Sequence, residues 1–485
     1  MNAPSLSMRG ISKSFGPVQA NKNVDLTLHA GDILGLLGEN GAGKTTLMNI
    51  LFGAYSADEG SIEIYGEQVA IHNSAVAIAH GVGMVHQHFH LVLRHTVLEN
   101  LMVGLPGKNG LLDKATALNR LHEIGRQYHL HLDPDVIVGD LTIGEQQRLE
   151  IIKVLFRGAR ILILDEPTAA LTPQETEGLF DALRAMVEKG LSIIFISHKL
   201  YEVRTITNHI MVMRQGEVTA KLENTPDVSE RQIAELMCGH ELVKPVKPQV
   251  TPGRALLGIA NLSSTSDGRV GLKDINLSVH AGEIVGIAGV SGNGQRELAD
   301  VIAGVLAPSA GSLEIDGAPV CEFSPANMQA QGIGRVPEDR MGTGLLTTLA
   351  LCDNMVLPRI SAAPFSRYGV LDRQAIRDFA EEQIEKFSIK AEDADVRAGT
   401  LSGGNLQKVL LARELAWDPL VMLAAQPTRG LDVGAAQFVH NLFLELRSRE
   451  RGVLLISEDL EEIFTLSDRI AVMYEGRIMA ILPIA

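Results

Sequence analysis

Residues Gly38 to Thr46 read GENGAGKTT, a Gly-x-x-x-x-Gly-Lys-Thr spacing set between the apolar run ILGLLG and a stretch of helical periodicity. That context is the one in which a loop can cradle phosphates. The backbone N–H groups of Gly38, Glu39, Asn40, Gly41, Ala42 and Gly43 would close around the anion at a helix N-terminus. Lys44 would bring charge to the terminal phosphates, the Thr45 hydroxyl would serve Mg2+, and Thr46 completes the segment. A tight glycine turn is the plain alternative, weakened by the full match in context.

Further along, ILILDEP places Asp165 and Glu166 just past an apolar strand. Asp165 suits a magnesium ion, and Glu166 suits a base that polarises an attacking water. An N-cap pair for the next helix is their structural alternative. FISH puts His198 at the end of another strand, where an imidazole could reach a γ-phosphate, although a single strand-end histidine is often structural. Taken together, Lys44, Asp165, Glu166 and His198 point to hydrolysis of ATP.

The elements that must position these groups come twice. NVDLTLHAGDILGLLGENGAGK, Asn23 to Lys44, returns as DINLSVHAGEIVGIAGVSGNGQ, Asp274 to Gln295, at an offset of 251 residues. DEPTAALT from Asp165 returns as AQPTRGLD from Ala425 at an offset of 260, so the second copy carries nine extra residues between these blocks. The expected organisation is a first domain over 1–243, a proline-bearing linker over 244–254 and a second domain over 255–485. Within each copy, β-branched and leucine-rich runs alternate with helical patterns, which predicts an α/β fold with a mostly parallel sheet. Ligands in such sheets bind at the carboxyl ends of the strands. The stretch from about Leu91 to Leu141 is helix-like without strand runs, and reads as an inserted helical subdomain.

Composition narrows the class. The chain has 485 residues, 43 Lys and Arg against 58 Asp and Glu, a formal charge of −15 and 46% hydrophobic residues. That apolar share supports large buried cores, and the acidic balance argues against a nucleic-acid footprint over the whole molecule. Cys238, Cys321 and Cys352 stand far apart, so neither a disulfide framework nor a CxxC metal site is expected. The N-terminus MNAPSLSMRG lacks the pattern of a secretory signal, and no run reaches the length of a membrane span. His86, His88, His90 and His95 cluster, but read as solvated loop histidines rather than a metal site. Trp417 reads as packing behind the helix that precedes it.

The motifs resemble the nucleotide-binding domain of the ATP-binding cassette family. LTIGEQQR from Leu141 and LSGGNLQK from Leu401 each stand 24 residues before the acidic-strand position, as that family's signature does. The resemblance implies a RecA-like sheet core with an antiparallel β portion and a helical insert. It also implies that Gln87, in MVHQHF, contacts magnesium and a membrane partner, and that Phe15 stacks on adenine, a core position being the alternative for Phe15. In the family, two cassettes pair head to tail, so Ser402, Gly403, Gly404 and Asn405 would meet the nucleotide held by the first half.

By the repeat, Lys44 becomes Gln295, Thr45 becomes Arg296, Gln87 becomes Glu338, Asp165 becomes Ala425, Glu166 becomes Gln426, His198 becomes Glu458 and Phe15 becomes Ser266. Ile143 and Glu145 depart from the signature in the first half. One working site is therefore expected, with the second half as a decayed partner being the plainer reading. The whole pattern resembles the tandem ATP-binding subunit of ribose- and galactose-type bacterial importers. GVSGNGQREL, RVPEDR and AAQPTRGLDVGA look most like the nucleoside-importing subset. The resemblance implies two permease chains, a periplasmic or lipoprotein solute-binding protein, a peripheral place on the cytoplasmic face of the inner membrane, and no nucleic acid. A tandem cassette acting on ribosomes or nucleic acid is the alternative. The first half runs 24 residues past Gly216 to His240 while the second runs nine past Gly476, and a frayed C-terminus is expected.

Overall fold

Every strand run named above becomes a strand in the computed structural model, because short β-branched stretches flanked by glycine can bury both faces only inside a sheet covered by helices. The structure describes residues 4–16, 18–87, 89–104, 113–168, 171–241, 247, 250–265 and 270–484. The chain divides between residues 242 and 243 into two compact units.

In the first unit a six-stranded sheet runs in the order Glu217–Glu223, His209–Arg214, Ile33–Gly38, Ser192–Ile196, Ile161–Asp165, Val82–Val85. Only its first pair is antiparallel. The central strands are buried along their whole length, which explains their continuous apolar sequence. A second, antiparallel sheet orders Val18–His29, Pro4–Phe15, Glu59–Ile64 and Glu67–Gln68, and alternates buried with exposed residues as a half-covered sheet must. Helices Val97–Met102, Lys114–Tyr128 and Ile143–Phe156 form the helical portion.

The second unit repeats this plan. Its main sheet orders Ile333–Val336, Val421–Ala425, Gly452–Ile456, Ile284–Ala288, Arg469–Tyr474, Arg477–Pro483, beside an antiparallel sheet of Ile275–His280, Ala255–Ser263, Ala310–Ile315 and Ala318–Pro319. Asn100 and Asn354 mark the repeat within the helical portion: each amide donates to the carbonyls of two loop residues, Val92 and Thr96 in one unit, Leu346 and Ala350 in the other. Their offset is 254, so three of the extra residues lie in the loop after Ile333–Val336. The other six fall in the helical portion, which in this unit carries a short hairpin, Ser366–Arg367 with Val370–Leu371.

Two expectations are adjusted. The described chain is not frayed up to Ile484: Arg477–Pro483 pairs along its length with Arg469–Tyr474, and the Ile484 N–H donates to the Asp468 carbonyl. Paired backbone groups, rather than a covering helix, hold this end. His86 is not simply a solvated loop histidine, since it packs between Phe52 and His90, with ring centroids 5.8 and 4.7 Å away. His88 and much of the linker lie outside the described residues. Trp417 stacks on Phe379 and meets Phe365 edge-on, just beyond the helix Gly403–Leu415.

Candidate active site

Strand Ile33–Gly38 delivers the loop, and helix Lys44–Leu51 leaves it. Gly43 sits at the helix N-cap with φ 97°, a conformation that side-chain-bearing residues avoid. A β-carbon there would stand 2.3 Å from the Ala20 carbonyl oxygen. Only glycine lets the backbone close this tightly, which is what an anion cradle of N–H groups requires. Lys44 folds its ammonium over the loop, donating to the carbonyls of Gly38 at 2.7 Å and Glu39 at 3.0 Å. Thr45 is exposed at the first turn.

Asp165 ends its strand 9% exposed, and its carboxylate makes no hydrogen bond among the described residues. Burial and the neighbouring Glu166 charge push it up to about 6, against the pull of Lys44. The Asp165 carboxylate and the exposed Thr45 hydroxyl are hard oxygen donors of the kind a small divalent cation takes. Glu166 takes a left-handed backbone, φ 48°, with its N–H bonded to the Ile196 carbonyl at 2.9 Å. This corner brings its carboxylate between two partners: Gln87 Nε2 donates to one oxygen at 3.0 Å, and His198 Nδ1 lies 3.0 Å from the other. Burial would raise the Glu166 carboxyl, but the hydrogen bond and charge of His198, with Lys44 and Lys199, hold it below its ordinary value. It is an ionised group poised to accept a proton. The N-cap reading of Asp165 and Glu166 fails, because Thr172 caps the following helix, Pro173–Glu188, through a capping box with Glu175.

The structure thus brings Gln87, Glu166 and His198 into direct contact, with the charges of Lys44 and Asp165 close enough to act on one another and on Glu166. Phe15 is not a core residue: it is 44% exposed, edge-on to Tyr55 with centroids 5.2 Å apart. Tyr55 was missed because it belongs to no motif and follows its helix by only a few residues.

In the second unit, helix Gly403–Leu415 begins at Ser402, which makes no side-chain cap bond; its hydroxyl instead accepts from Asn405 Nδ2 at 3.0 Å. The counterpart in the first unit differs in kind. Thr142 and Glu145 form a capping box that places a carboxylate over the N-terminus of Ile143–Phe156. That end is satisfied internally and carries the wrong charge for phosphate.

The altered copy of the site keeps the shape and loses the charge. Gln295 accepts from Asn293 N and donates to the Val290 carbonyl at 2.9 Å, a neutral version of the lysine's loop contacts. Gln426 holds φ 49°, and its side-chain oxygen accepts from Glu458 N at 3.3 Å. Glu338 is paired with Arg429. Ser266 lies outside the described residues. In the first unit a cavity of about 290 Å³ is lined by Phe52, His86, His90, Glu150, Lys153 and Arg157, among others. No cluster of three or more His, Cys, Asp or Glu side chains that could hold a metal ion is present among the described residues.

Residues 21–169 and 272–429 match the ABC transporter family model. Relatives include the glucose import ATP-binding protein TsgD13 of Haloferax volcanii, 43% identical over 98% of this chain and 92% of that one. The nucleoside import ATP-binding protein NupA of Lactococcus lactis is 41% identical over 99% and 95%, and the guanosine import ATP-binding protein NupO of Bacillus subtilis 42% over 98% and 94%. Among solved structures, an archaeal ribosome recycling factor, aABCE1, crystallised with a ribosomal stalk protein, aligns over 98% of this chain and 90% of its own with a TM-score of 0.63 at 19% identity, a likeness of fold alone. A glycine-rich loop at a helix N-terminus, a carboxylate held between Gln87 and His198 and a second copy without these charges, joined to the matches along the whole length, make the chain a member of the ABC transporter family, as a tandem ATP-binding subunit of the importing kind.

Proposed function

We propose that this protein hydrolyses ATP at one working site and so energises uptake of a nucleoside through two membrane permease subunits fed by a solute-binding protein. The observation that carries the single site is the carboxylate of Glu166, held between Gln87 and His198 in one half and replaced by an amide in the other. In this reading Lys44 and the loop amides from Gly38 to Thr46 bind the phosphates, and Phe15 stacks on adenine. Glu166 takes a proton from the attacking water, and His198 orients Glu166 until nucleotide arrives. Mg2+, when bound by Thr45, Gln87 and Asp165, supplies positive charge against the phosphates. Ser402, Gly403, Gly404 and Asn405 act on the same nucleotide, since theirs is the signature whose helix end is not closed by a carboxylate.

A nucleoside is favoured over a simple sugar by the names of two relatives and by the second-half segments GVSGNGQREL and RVPEDR, while a third relative carries the name of a glucose importer. The protein would sit peripherally on the cytoplasmic face of the inner membrane, and no helix among the described residues is long and apolar enough to cross one. The charge of −15 supports a role without nucleic acid. Uptake of labelled nucleosides, ribose and galactose in cells carrying wild-type or Lys44→Ala protein tests this. Loss of nucleoside uptake alone is expected; loss of sugar uptake alone would replace the solute, and no change would remove the transport role.

A further inference from the structure

The three extra residues after strand Ile333–Val336 do something specific. They widen the chain into a single π-type turn, Arg340–Gly344, in which Gly344 N donates to the Asp339 carbonyl at 2.9 Å and Leu345 N to the Arg340 carbonyl at 2.8 Å. Such turns are rare and concentrate at functional positions. The Asp339 carboxylate caps it by accepting from the N–H groups of Met341 and Gly342. Buried Arg413, on the helix Gly403–Leu415, donates to the Gly344 carbonyl at 2.8 Å, and Gly344 packs so closely on Leu410 of that helix that a β-carbon would stand 3.1 Å from it.

The turn is therefore bolted to the signature helix, and what it carries there is Arg340. One guanidinium nitrogen of Arg340 donates to the Arg429 carbonyl. Another lies 3.7 Å from where a β-carbon on Gly403 would stand. Arg429 has Glu338 as its counter-charge, whereas Arg340 has no carboxylate partner among the described residues. Burial and the like charge of Arg429 push the Arg340 guanidinium down to about 10. A half-buried cation beside a second cation and an uncapped helix end is an arrangement completed by an anion. Among the described residues the first unit has no equivalent turn: its loop is three residues shorter, and its signature helix begins under the Glu145 carboxylate.

We propose that Arg340 is a phosphate-contacting residue, which together with Ser402, Gly403 and Gly404 takes the terminal phosphate of the ATP that the signature engages. The inference rests on the single-site reading above. It makes the second half a supplier of charge to the reaction.

The test uses the full-length chain in a Glu166→Gln background, so that nucleotide binds without turnover, with trinitrophenyl-labelled ATP and ADP as probes. Arg340→Gln keeps a donor for the Arg429 carbonyl and removes the charge. We expect ATP affinity to fall about tenfold while ADP affinity holds, with partial recovery in Arg340→Lys. An equal fall for ATP and ADP would overturn the proposal in favour of a structural turn. Unchanged ATP affinity would also overturn it, and Lys44→Ala measured alongside separates the two levels. If Lys44→Ala weakens ATP binding and Arg340→Gln does not, the site stands without Arg340. If neither does, the site reading falls as well.

Discussion

Glu166 and Gln426 hold the same backbone posture, with φ 48° and 49° and each N–H bonded to the neighbouring strand, at Ile196 O over 2.9 Å and Ile456 O over 2.8 Å. A left-handed conformation at a residue with a side chain costs roughly 1–2 kcal/mol. Both units keep this strained corner, yet only one places a carboxylate on it. The second half keeps the architecture of the corner with an amide in place of the carboxylate, because the sheet on either side fixes the corner whatever side chain it bears.

Replacing that carboxylate should separate the halves. Glu166→Gln removes the group that accepts a proton, so phosphate release should fall at least ~10²-fold. Lys44→Ala should abolish it too. Gln426→Glu should restore nothing, because Ala425 and Gln295 still stand where the cation ligand and the phosphate charge are needed. Residual turnover by Glu166→Gln close to the wild-type rate would end the single-site reading.

Much of this site was legible before any coordinates. Gly43 and Lys44 stand between a strand pattern and a helix pattern, and Asp165 closes an apolar run, so local periodicity alone places them at strand ends. The bridge from Gln87 through Glu166 to His198 was not legible, because it joins residues 79 and 32 positions apart through a left-handed corner that no local pattern announces. Arg340 shows the same limit: the changed offset reveals an insertion, but only the fold shows it fastened to Arg413. The C-terminal strand was misjudged because the second copy runs only nine residues past Gly476, without the helix that follows the equivalent strand in the first, while its order comes from backbone pairing to the preceding strand.

The two signature helices should respond oppositely to loss of the residue at their start. Thr142→Ala breaks a capping box and should cost about 1 kcal/mol of stability in the first unit with little change in turnover. Ser402 makes no such cap, so Ser402→Ala should leave the unfolding midpoint unmoved while lowering ATPase activity. Denaturant unfolding and phosphate release on the same two variants decide the matter; a reversed pattern would show that the roles had been assigned the wrong way round.

Phe15, exposed and braced edge-on by Tyr55, should act through binding rather than chemistry. Loss of base stacking amounts to ~1–3 kcal/mol. Phe15→Ala should accordingly raise KM for ATP by tenfold or thereabouts at unchanged kcat, and Phe15→Trp should keep it low. A fall in kcat with KM constant would place Phe15 elsewhere in the cycle.

Acid stability of the second unit should depend on one buried cluster. Glu283 is 2% exposed and takes hydrogen bonds from Arg469 Nε and Nη2 and from the His280 backbone N–H, with His280 Nδ1 at 2.9 Å. Burial would raise its carboxyl, but these partners hold it below the ordinary value of 4.5. With a depressed folded pKa, its contribution is fully present above the unfolded value and is lost as pH falls through the folded one. Arg469→Gln leaves the buried carboxylate without its cation and should cost ~3 kcal/mol at pH 7. Below pH 4.5 the gap to wild type should shrink, because protonation relieves the stranded charge in the variant while the wild type gives up its own stabilisation. Trp417 is the chain's single tryptophan and belongs to the second unit, so its fluorescence during urea unfolding at pH 7 and near pH 4 reads that unit alone. A gap that stays constant between the two pH values would mean that Arg469 stabilises through packing and its bond to the Ser278 carbonyl rather than through the charge of Glu283.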